Sequence, residues 1–354
     1  LLGAVTINAN NVTVGEVDHG FTINGVGQAG VYVQGSRSGL TLGGNIIVAA
    51  NNKNAFLTEG GQSNFTISGN TFQGSASQLV YVNGFPSVGL LSTNVDFIGN
   101  TFGGTATGPL LGQEADDSSI VGNTFNGNTS YAALEIHGDN TTVSDNTLTG
   151  SGAGAGVLVS EFSSGALINA SSGANTINGF AIGIQVDGSD VIVQFNIIED
   201  NSFGLDNTSG ELVNAEKNWW GSLHGPFHDD TNLLGEGDEV SNFVDFSPWC
   251  TTDDLEDCEE GGVQFLGSNG PLDELLLSFD PNPVAIPNAS ELTVTAVDAD
   301  GVRLVNDSRE IELNAGGTTK FDGIGGPALI NLVGGVLTTD VTETIPGTVN
   351  VVAK

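Results

Sequence analysis

The chain has 354 residues, of which 42 are Asp or Glu and only 7 are Lys or Arg, so its formal net charge is -35. This charge repels nucleic acid and anionic membrane surfaces, and no apolar run reaches the roughly 18 residues needed to span a bilayer. We therefore expect neither a nucleic-acid partner nor insertion into a membrane. The 52 glycines have no three-residue period, which excludes collagen.

A short segment recurs along the first two thirds of the chain and predicts a repeat fold. Its clearest copies are ISGNTF ending at Phe72, FIGNTF ending at Phe102, IVGNTF ending at Phe125 and VSDNTL ending at Leu148. With weaker copies included, the marker Asn recurs at positions 45, 70, 100, 123, 146, 175, 196 and 218. The basic step is 21 to 25 residues, lengthened twice to 29 or 30. Repeats of this size are typical of solenoids.

Two apolar columns accompany the marker Asn. The residues three positions before it are Leu42, Ile67, Phe97, Ile120, Val143 and Val193. The residues two positions after it are Ile47, Phe72, Phe102, Phe125, Leu148, Ile177, Ile198 and Trp220. Short apolar stretches of period two, separated by Gly, Asn, Ser and Asp, predict strands broken by turns. Each repeat is therefore predicted to form one coil of a parallel β-solenoid, with both columns buried.

The marker Asn itself is predicted to have a structural role. It falls at the bend between two strands, where we expect the left-handed backbone conformation that Asn tolerates. Stacked coils would also align these residues into a ladder of side-chain amides.

A column of ionisable residues is the candidate functional site of this solenoid. Counting nine residues back from the marker Asn gives Glu114, His137 and Asp187, and Glu161 falls near the same place in a longer coil. Coils are spaced by about 4.8 Å, so stacked carboxylates could bind Ca²⁺ or act as an acid and base pair. The structural alternative is that the column marks where a strand turns from the core into solvent.

Calcium is the one cofactor that the sequence suggests, because carboxylate oxygens are its usual ligands and acidic residues are in excess. The candidate ligands are Glu114, Asp116, Asp117, Glu161 and Asp187.

The end of the solenoid carries a family resemblance. Residues 214–249 read NAEKNWWGSLHGPFHDDTNLLGEGDEVSNFVDFSPW. Together with the NTF coils, this segment resembles the right-handed parallel β-helix superfamily of pectate lyases, polygalacturonases, NosD-like proteins and many surface adhesins, in which a similar segment caps the open coil. The resemblance covers about residues 1–249. It implies a fold and no single function, because the superfamily contains both enzymes and non-enzymes.

An acidic linker, residues 250–262, follows the predicted β-helix and contains both cysteines of the chain, Cys250 and Cys258. Their short separation permits a local disulfide, which an oxidising compartment favours, and also permits two free thiols. We expect an extracellular or cell-surface location.

Residues 263–354 have a different pattern, in which apolar and polar residues alternate in stretches joined by Pro, Asp-Gly and Gly-Gly turns. This pattern predicts antiparallel strands. The segment LSFDPNPVAIPNASELTVTAVDADG resembles the bacterial Ig-like domains of invasin and intimin type, which implies a sandwich that spaces or displays other domains. The predicted fold class is therefore all-β: a right-handed parallel β-helix followed by an Ig-like β-sandwich.

The chain also contains N-x-S/T sequons, which permit glycosylation where the Asn is exposed and the host has the enzymes. They begin at Asn11, Asn64, Asn128, Asn140, Asn169, Asn207, Asn288 and Asn306.

The sequence favours a non-catalytic extracellular structural or adhesive protein, which could assemble head to tail into a filament. The predicted β-helix holds only Arg37, Lys53 and Lys217 as basic residues, whereas pectate-lyase-type elimination needs a base and cations. Expected partners are other copies, neighbouring surface proteins or a polysaccharide. One alternative is a polysaccharide hydrolase or lyase that uses Glu114, His137, Glu161 and Asp187, since hydrolysis needs paired carboxylates. The other is a calcium-dependent surface-layer component.

Overall fold

A computed structural model describes residues 2–84, 91–169, 173–229, 231–233, 235–258, 274–280, 290–297, 309–315, 319–321, 323–325, 327–333, 336–342 and 351–353. The regular secondary structure within these ranges consists of β-strands alone. The chain divides into two compact units, one formed mainly by the repeat coils and one formed mainly by the C-terminal strands.

The first unit consists of short strands, most of them two to five residues long. In chain order they are β1 (Gly3–Ile7), β2 (Thr13–Val14), β3 (Thr22–Asn24), β4 (Ala29–Val33), β5 (Thr41–Gly43), β6 (Ile46–Val48), β7 (Asn54–Thr58), β8 (Ser63–Ser68), β9 (Thr71–Gln73), β10 (Ser75–Ala76), β11 (Val80–Val82), β12 (Ser92–Ile98), β13 (Thr101–Phe102), β14 (Thr105–Ala106), β15 (Leu111–Gln113), β16 (Ala115–Asp116) and β17 (Ser119–Val121). They continue with β18 (Thr124–Phe125), β19 (Asn128–Thr129), β20 (Ala132–Ile136), β21 (Thr142–Ser144), β22 (Thr147–Thr149), β23 (Ala155–Val159), β24 (Leu167–Asn169), β25 (Thr176–Asn178), β26 (Ile182–Val186), β27 (Ile192–Gln194), β28 (Ile197–Glu199), β29 (Phe203–Asn207), β30 (Val213–Asn214), β31 (Pro226–Phe227), β32 (Gly237–Val240) and β33 (Val244–Asp245).

These strands form a parallel β-solenoid of about eight turns. Sheet A has the order β1-β4-β7-β11-β15-β20-β23-β26-β29-β32-β31, and sheet B has the order β2-β5-β8-β12-β17-β21-β24-β27-β30-β33, with β16 also paired to β12. Sheet C has the order β3-β6-β9-β13-β18-β22-β25-β28, and a small fourth sheet joins β10, β14 and β19. Successive coils thus add one strand to each long sheet, as the repeat predicts.

The predicted apolar columns form the core of the solenoid. Phe72, Phe102 and Phe125 are fully buried and stack in register, with ring centroids 5.2 Å apart in the first pair and 4.5 Å apart in the second. Leu42 and Ile47 are equally buried. Because the parallel register places the same repeat position of successive coils directly above one another, each of these three rings packs on its equivalent in the next coil.

The marker Asn residues form the expected amide ladder. Nδ2 of Asn45 donates to Oδ1 of Asn70 at 3.1 Å, Asn70 donates to Asn100 at 3.1 Å, and the chain of bonds continues to Asn218. These side chains are buried, so the ladder satisfies polar groups that would otherwise be costly inside the protein.

The predicted left-handed conformation of the marker Asn is wrong. Positive φ occurs one residue earlier, for example at Gly44, Gly69, Gly99 and Asp145, with φ of 65°, 61°, 61° and 57°. The bend therefore precedes the Asn, and the Asn side chain points into the coil, where its amide meets the neighbouring amides.

The closing segment ends the solenoid with large buried side chains. Trp220 and Phe246 are fully buried, and Trp249 packs near Phe246 with ring centroids 6.1 Å apart. Directly after it, Cys250 and Cys258 are joined by a disulfide. Residues 259–262 of the predicted linker lie outside the described ranges.

The second unit is antiparallel. Its strands are β34 (Glu274–Asp280), β35 (Ser290–Val297), β36 (Glu310–Ala315), β37 (Lys320–Phe321), β38 (Ile324–Gly325), β39 (Ala328–Asn331), β40 (Val336–Thr342) and β41 (Val351–Ala353). They form a five-stranded sheet, β34-β35-β40-β37-β38, and a three-stranded sheet, β39-β36-β41. Leu292, Val294, Ile311, Leu313 and Phe321 form the core of this unit.

Within the described ranges, no helix is long and apolar enough to cross a lipid bilayer.

Candidate ligand-binding cleft

The outward face of sheet A carries the predicted column of ionisable residues. Strand pairing aligns Gly112 with Glu135, Glu135 with Leu158, and Leu158 with Gln185. The residues that directly follow these strands continue the register and form a second outward column: Glu114, His137, Ser160, Asp187 and Thr208. The structure therefore places Glu114, His137 and Asp187 in one column.

The carboxylates of this column are not adjacent, contrary to the expected stack. His137 and Ser160 lie between Glu114 and Asp187, which are three strand spacings apart, or about 14 Å along the sheet. Glu161 follows Ser160 and lies one position outside the column. The acidic stack is interrupted because the longer coil places Ser, rather than Glu, at the column position.

A cleft of about 560 Å³ opens on this face, over β20, β23, β26 and the end of β29. Its lining includes three of the four candidate catalytic residues, His137, Glu161 and Asp187. Tyr131, Glu135, Leu158, Ser160, Phe162, Thr208 and Ser209 complete the lining. A second hollow of about 330 Å³ shares Tyr131, Leu158 and Asp187 with it and extends the cleft across the sheet.

Glu135 lies at the centre of a hydrogen-bond network on one wall of the cleft. It is only 6% exposed, and its Oε1 accepts a bond from the Tyr131 hydroxyl at 2.7 Å and one from Nε2 of His137 at 3.0 Å. Burial raises the pKa of Glu135, but the bonds from His137 and Tyr131 outweigh burial, so the net pKa is lowered. Glu135 is therefore held as a carboxylate.

The pKa values of both partners of Glu135 are raised. Burial lowers the pKa of His137, but Glu135 and the more distant Glu114 raise it, and the net pKa is raised. Burial and the bond to Glu135 together raise the pKa of Tyr131 to about 12. His137 and Glu135 thus form an ion pair over the pH range between their two pKa values.

An aromatic surface lies beside this network. The ring of Phe162 is 72% exposed and lies nearly parallel to the His137 ring, with centroids 6.1 Å apart and an interplanar angle of 15°. Leu158 and Ile182 pack with two alanines to form a small apolar floor on the same outward face. The cleft therefore combines an accessible aromatic face with polar walls.

Asp187 forms the opposite wall. Nε2 of Gln185 donates to both of its carboxylate oxygens, at 3.0 and 3.2 Å, and the hydroxyl of Thr208 donates to Oδ1. The carboxylate is thus fixed in orientation while the residue remains partly exposed.

Glu114, the remaining catalytic candidate, is bound by a different part of the solenoid. One of its oxygens accepts a bond from the Tyr81 hydroxyl, and the other accepts the backbone N–H of Gly84 at 2.7 Å. Tyr32 and Glu59 repeat this arrangement nearer the N terminus. Glu114 therefore holds Tyr81 and Gly84 of the preceding coil through hydrogen bonds and does not line the cleft.

The five candidate calcium ligands are not brought together. Glu161 and Asp187 line the cleft, whereas Asp116 and Asp117 lie at the corner between sheets A and B. There Asp116 accepts the backbone N–H of Asp139 at 2.9 Å, and Asp117 accepts a bond from the Asn140 amide at 3.1 Å. In the part of the chain that the structure describes, no three His, Cys, Asp or Glu side chains converge as metal ligands.

Sequence reasoning missed Tyr131, Glu135 and Phe162. Glu135 and His137 are alternate residues in the segment ALEIH, and strand alternation places both on one face. A single Glu within an otherwise apolar strand was the available signal. Phe162 has no comparable signal, because it lies on a turn outside the repeat pattern.

The sequons differ sharply in accessibility. Asn11, Asn64, Asn128 and Asn140 are exposed. Asn207 is 8% exposed, and its Nδ2 donates to two backbone carbonyls, so this candidate is unsuited to glycosylation. The side chain of Asn169 and the whole of Asn288 and Asn306 lie outside the described residues.

The fold and the outward cleft define a parallel β-helix protein with a candidate binding surface. Residues 4–177 match the model of the family described as "Right handed beta helix region". This match and the solenoid together support placement in the right-handed parallel β-helix superfamily. Comparison with curated proteins gave no match.

Proposed function

We propose that this chain is an extracellular surface protein whose β-helix binds a polysaccharide in the sheet A cleft without cleaving it. The observation that carries the proposal is the exposed Phe162 ring beside the hydrogen-bonded polar groups of the cleft. An aromatic face accommodates the apolar face of a sugar ring, while fixed polar groups orient its hydroxyls.

The polar groups of the cleft are ordered before any ligand arrives. Tyr131 and His137 are held by Glu135, and Asp187 is held by Gln185 and Thr208. Because their conformations are already restricted, binding costs less side-chain entropy than it would on a mobile surface.

The extracellular or cell-surface location is part of the proposal. It is supported by the Cys250–Cys258 disulfide, since such bonds persist mainly in oxidising compartments. The excess of acidic residues also suits a surface in contact with saline or calcium-bearing medium.

We propose that residues 263–354 form the Ig-like module expected from the sequence. The strand pairing supports this assignment: β35 pairs with both β34 and β40, and β36 pairs with both β39 and β41. A β-sandwich is built from two such antiparallel sheets. Such a module would space or display the β-helix.

Further copies of the protein are proposed as partners, in a head-to-tail filament. The support is that β1, β2 and β3 are the end strands of sheets A, B and C. The edge of a sheet presents N–H and C=O groups that can pair with a strand of another chain.

Polysaccharide hydrolysis is the second candidate function. Glu135 and Asp187 line the same cleft and are two strand spacings apart, about 10 Å along the sheet. The register aligns Glu135 with Gln185, so Asp187 is also offset by two residues along the strand, and the backbone separation exceeds the roughly 6.5 to 9.5 Å between the carboxyl groups of inverting glycosidases. Hydrolysis would therefore require the two side chains to lean towards each other. His137, beside Glu135, would be an additional proton carrier.

Binding and cleavage assays on the same oligosaccharides separate the two candidates. Isothermal titration calorimetry should show binding that Phe162→Ala abolishes, while Phe21→Ala, which truncates a similarly exposed ring on the first coil, leaves it intact. Reducing-sugar release should be absent. Release that Glu135→Gln or Asp187→Asn eliminates would replace the binding proposal with the hydrolase, and affinity unaffected by Phe162→Ala would move binding away from the cleft.

A further inference from the structure

We propose that the ligand of the cleft is a sugar polymer with free amino groups, such as a hexosamine chain. This inference rests on the polysaccharide-binding function proposed above and names its ligand class. Its basis is the combination, in one cleft, of an exposed aromatic ring with carboxylates on opposite walls.

The charges of the cleft distinguish between ligand classes. Glu135, Glu161 and Asp187 line it, and none of the described lining residues is Lys or Arg. The one potential cation, His137, is already paired with Glu135 at 3.0 Å. A uronate polymer would therefore meet like charges with no basic group to bind its carboxylates.

A protonated amine satisfies this arrangement better than a neutral sugar does. Binding any sugar over the cleft removes water from the carboxylates, and a buried carboxylate without a charged partner is costly. An ammonium group restores a charge-assisted hydrogen bond to Asp187, whose orientation Gln185 and Thr208 already fix.

The aromatic ring supports the same ligand class by two routes. The apolar face of a sugar ring can stack on Phe162, and an ammonium group near the ring face gains a cation–π attraction. Glu161 directly precedes Phe162 and also lines the cleft, so a carboxylate lies beside the aromatic ring.

A chain of net charge -35 attracts any polycation, so the test must separate a specific site from general attraction. Short oligomers and salt of about 1 M, where the Debye length is about 3 Å, reduce the general attraction. The probes are a β-1,4-linked glucosamine tetramer, its fully N-acetylated form and a tetragalacturonate, titrated calorimetrically into the whole chain at mildly acidic pH.

The amino tetramer is expected to bind at least about tenfold more tightly than the acetylated tetramer, as for the loss of one charge-assisted bond, and the galacturonate is expected not to bind. Asp187→Asn should weaken the amino tetramer about tenfold, and Phe162→Ala should abolish its binding. Asp190→Asn is the matched control, because Asp190 is an exposed Asp three residues away at the corner and its loss changes the net charge equally.

Each contrary outcome has its own meaning. Equal binding of the amino and acetylated tetramers, lost in Phe162→Ala, overturns the amine preference and leaves polysaccharide binding in place. Equal weakening by Asp187→Asn and Asp190→Asn reduces the effect to general attraction and overturns the amine site. Binding of the acetylated or amino tetramer that ignores Phe162→Ala, or binding of none of the three probes, overturns both proposals.

Discussion

Nε2 of His137 donates to Oε1 of Glu135 at 3.0 Å; Glu135 lies in β20 and His137 is the residue directly after this strand. Strand alternation puts both side chains on the outward face of sheet A, where partial burial strengthens their interaction. Each therefore stabilises the charged form of the other, and this coupling can be measured independently of any ligand.

Removing the Glu135 charge should lower the pKa of His137. The Glu135→Gln change removes the carboxylate that raises the pKa of His137. The burial that lowers this pKa remains. An NMR titration of the His137 ring should thus show a midpoint below that of the wild type. Glu161→Gln, which changes a carboxylate of the same cleft, is the control and should leave the midpoint nearly unchanged. Equal midpoints in wild type and Glu135→Gln would contradict the pair.

The same pair predicts a pH window for stability. The raised pKa of His137 stabilises the fold fully below its ordinary value of 6.5, and this contribution is lost as pH rises through the folded value. The lowered pKa of Glu135 stabilises above its ordinary value of 4.5, and this contribution is lost as pH falls through the folded value. The difference in melting temperature between wild type and Glu135→Gln should be largest between the two ordinary pKa values, 4.5 and 6.5, and should shrink at lower and at higher pH. A difference independent of pH would point to packing alone.

The core stack predicts a large cost for truncating one ring. Phe102 lies between Phe72 and Phe125 and is fully buried, so Phe102→Ala should lower the free energy of unfolding by roughly 3 to 5 kcal/mol. Phe162→Ala removes the same atoms from the surface and should change it by less than about 0.5 kcal/mol. Denaturant unfolding followed by circular dichroism measures both. Similar costs for the two variants would be incompatible with the stacked core.

The coil repeat was predictable from sequence because its buried residues recur at fixed positions. Phe72, Phe102 and Phe125 sit two residues after the marker Asn, and strand pairing aligns all three. The position of the left-handed residue was not predictable from Asn preference alone. A buried amide ladder competes for the Asn side chain, so the bend falls on the preceding residue, such as Gly99 or Asp145.

The candidate cleft was predictable only in part. His137 and Asp187 follow the repeat, and counting along it locates them. Glu135 required the further step of treating a charged residue inside a strand as outward-facing. Phe162 depends on the conformation of a turn that the repeat does not specify, so only the folded chain brings its ring next to His137.

Calcium is expected to raise the melting temperature, as the surface-layer hypothesis requires. Burial raises the pKa of Asp116, the backbone N–H of Asp139 lowers it, and the charges of Asp139 and Asp117 raise it, with a net increase. No three ligands converge there among the described residues, so a divalent cation would act by screening this repulsion and not from a closed coordination shell. Calorimetry with millimolar calcium and with EDTA tests this, with magnesium at equal ionic strength as the control. Asp116→Asn should reduce the calcium-induced shift in melting temperature more than Asp18→Asn does. A calorimetric trace unchanged by calcium and by EDTA would show that calcium does not stabilise the fold.

The sequons predict a selective glycosylation pattern in material from a host with the required enzymes. Asn64 and Asn128 are exposed and should carry glycans, whereas Asn207 should remain unmodified because it is buried and its amide nitrogen donates to the carbonyls of Glu211 and Phe243. Glycopeptide mass spectrometry reports each site separately. Modification of Asn207 would mean that this amide is accessible before the coil folds around it.

The last prediction concerns assembly through the first coil. If copies add to the edges of β1, β2 and β3, a charge placed on that edge should block growth, because lysine on an edge strand opposes pairing with another chain. Thr6 is an exposed residue on β1, so Thr6→Lys should leave the fold intact and abolish fibres seen by electron microscopy. Deletion of residues 1–14 should have the same effect. Thr66→Lys is the matched control, because Thr66 is equally exposed but lies on β8, which is paired on both sides to β5 and β12. A head-to-tail contact does not close on itself, so the fibres should lengthen with protein concentration. If the unchanged chain stays monomeric at high concentration with calcium present, or if Thr6→Lys and Thr66→Lys reduce fibre formation equally, the first coil is not the contact surface.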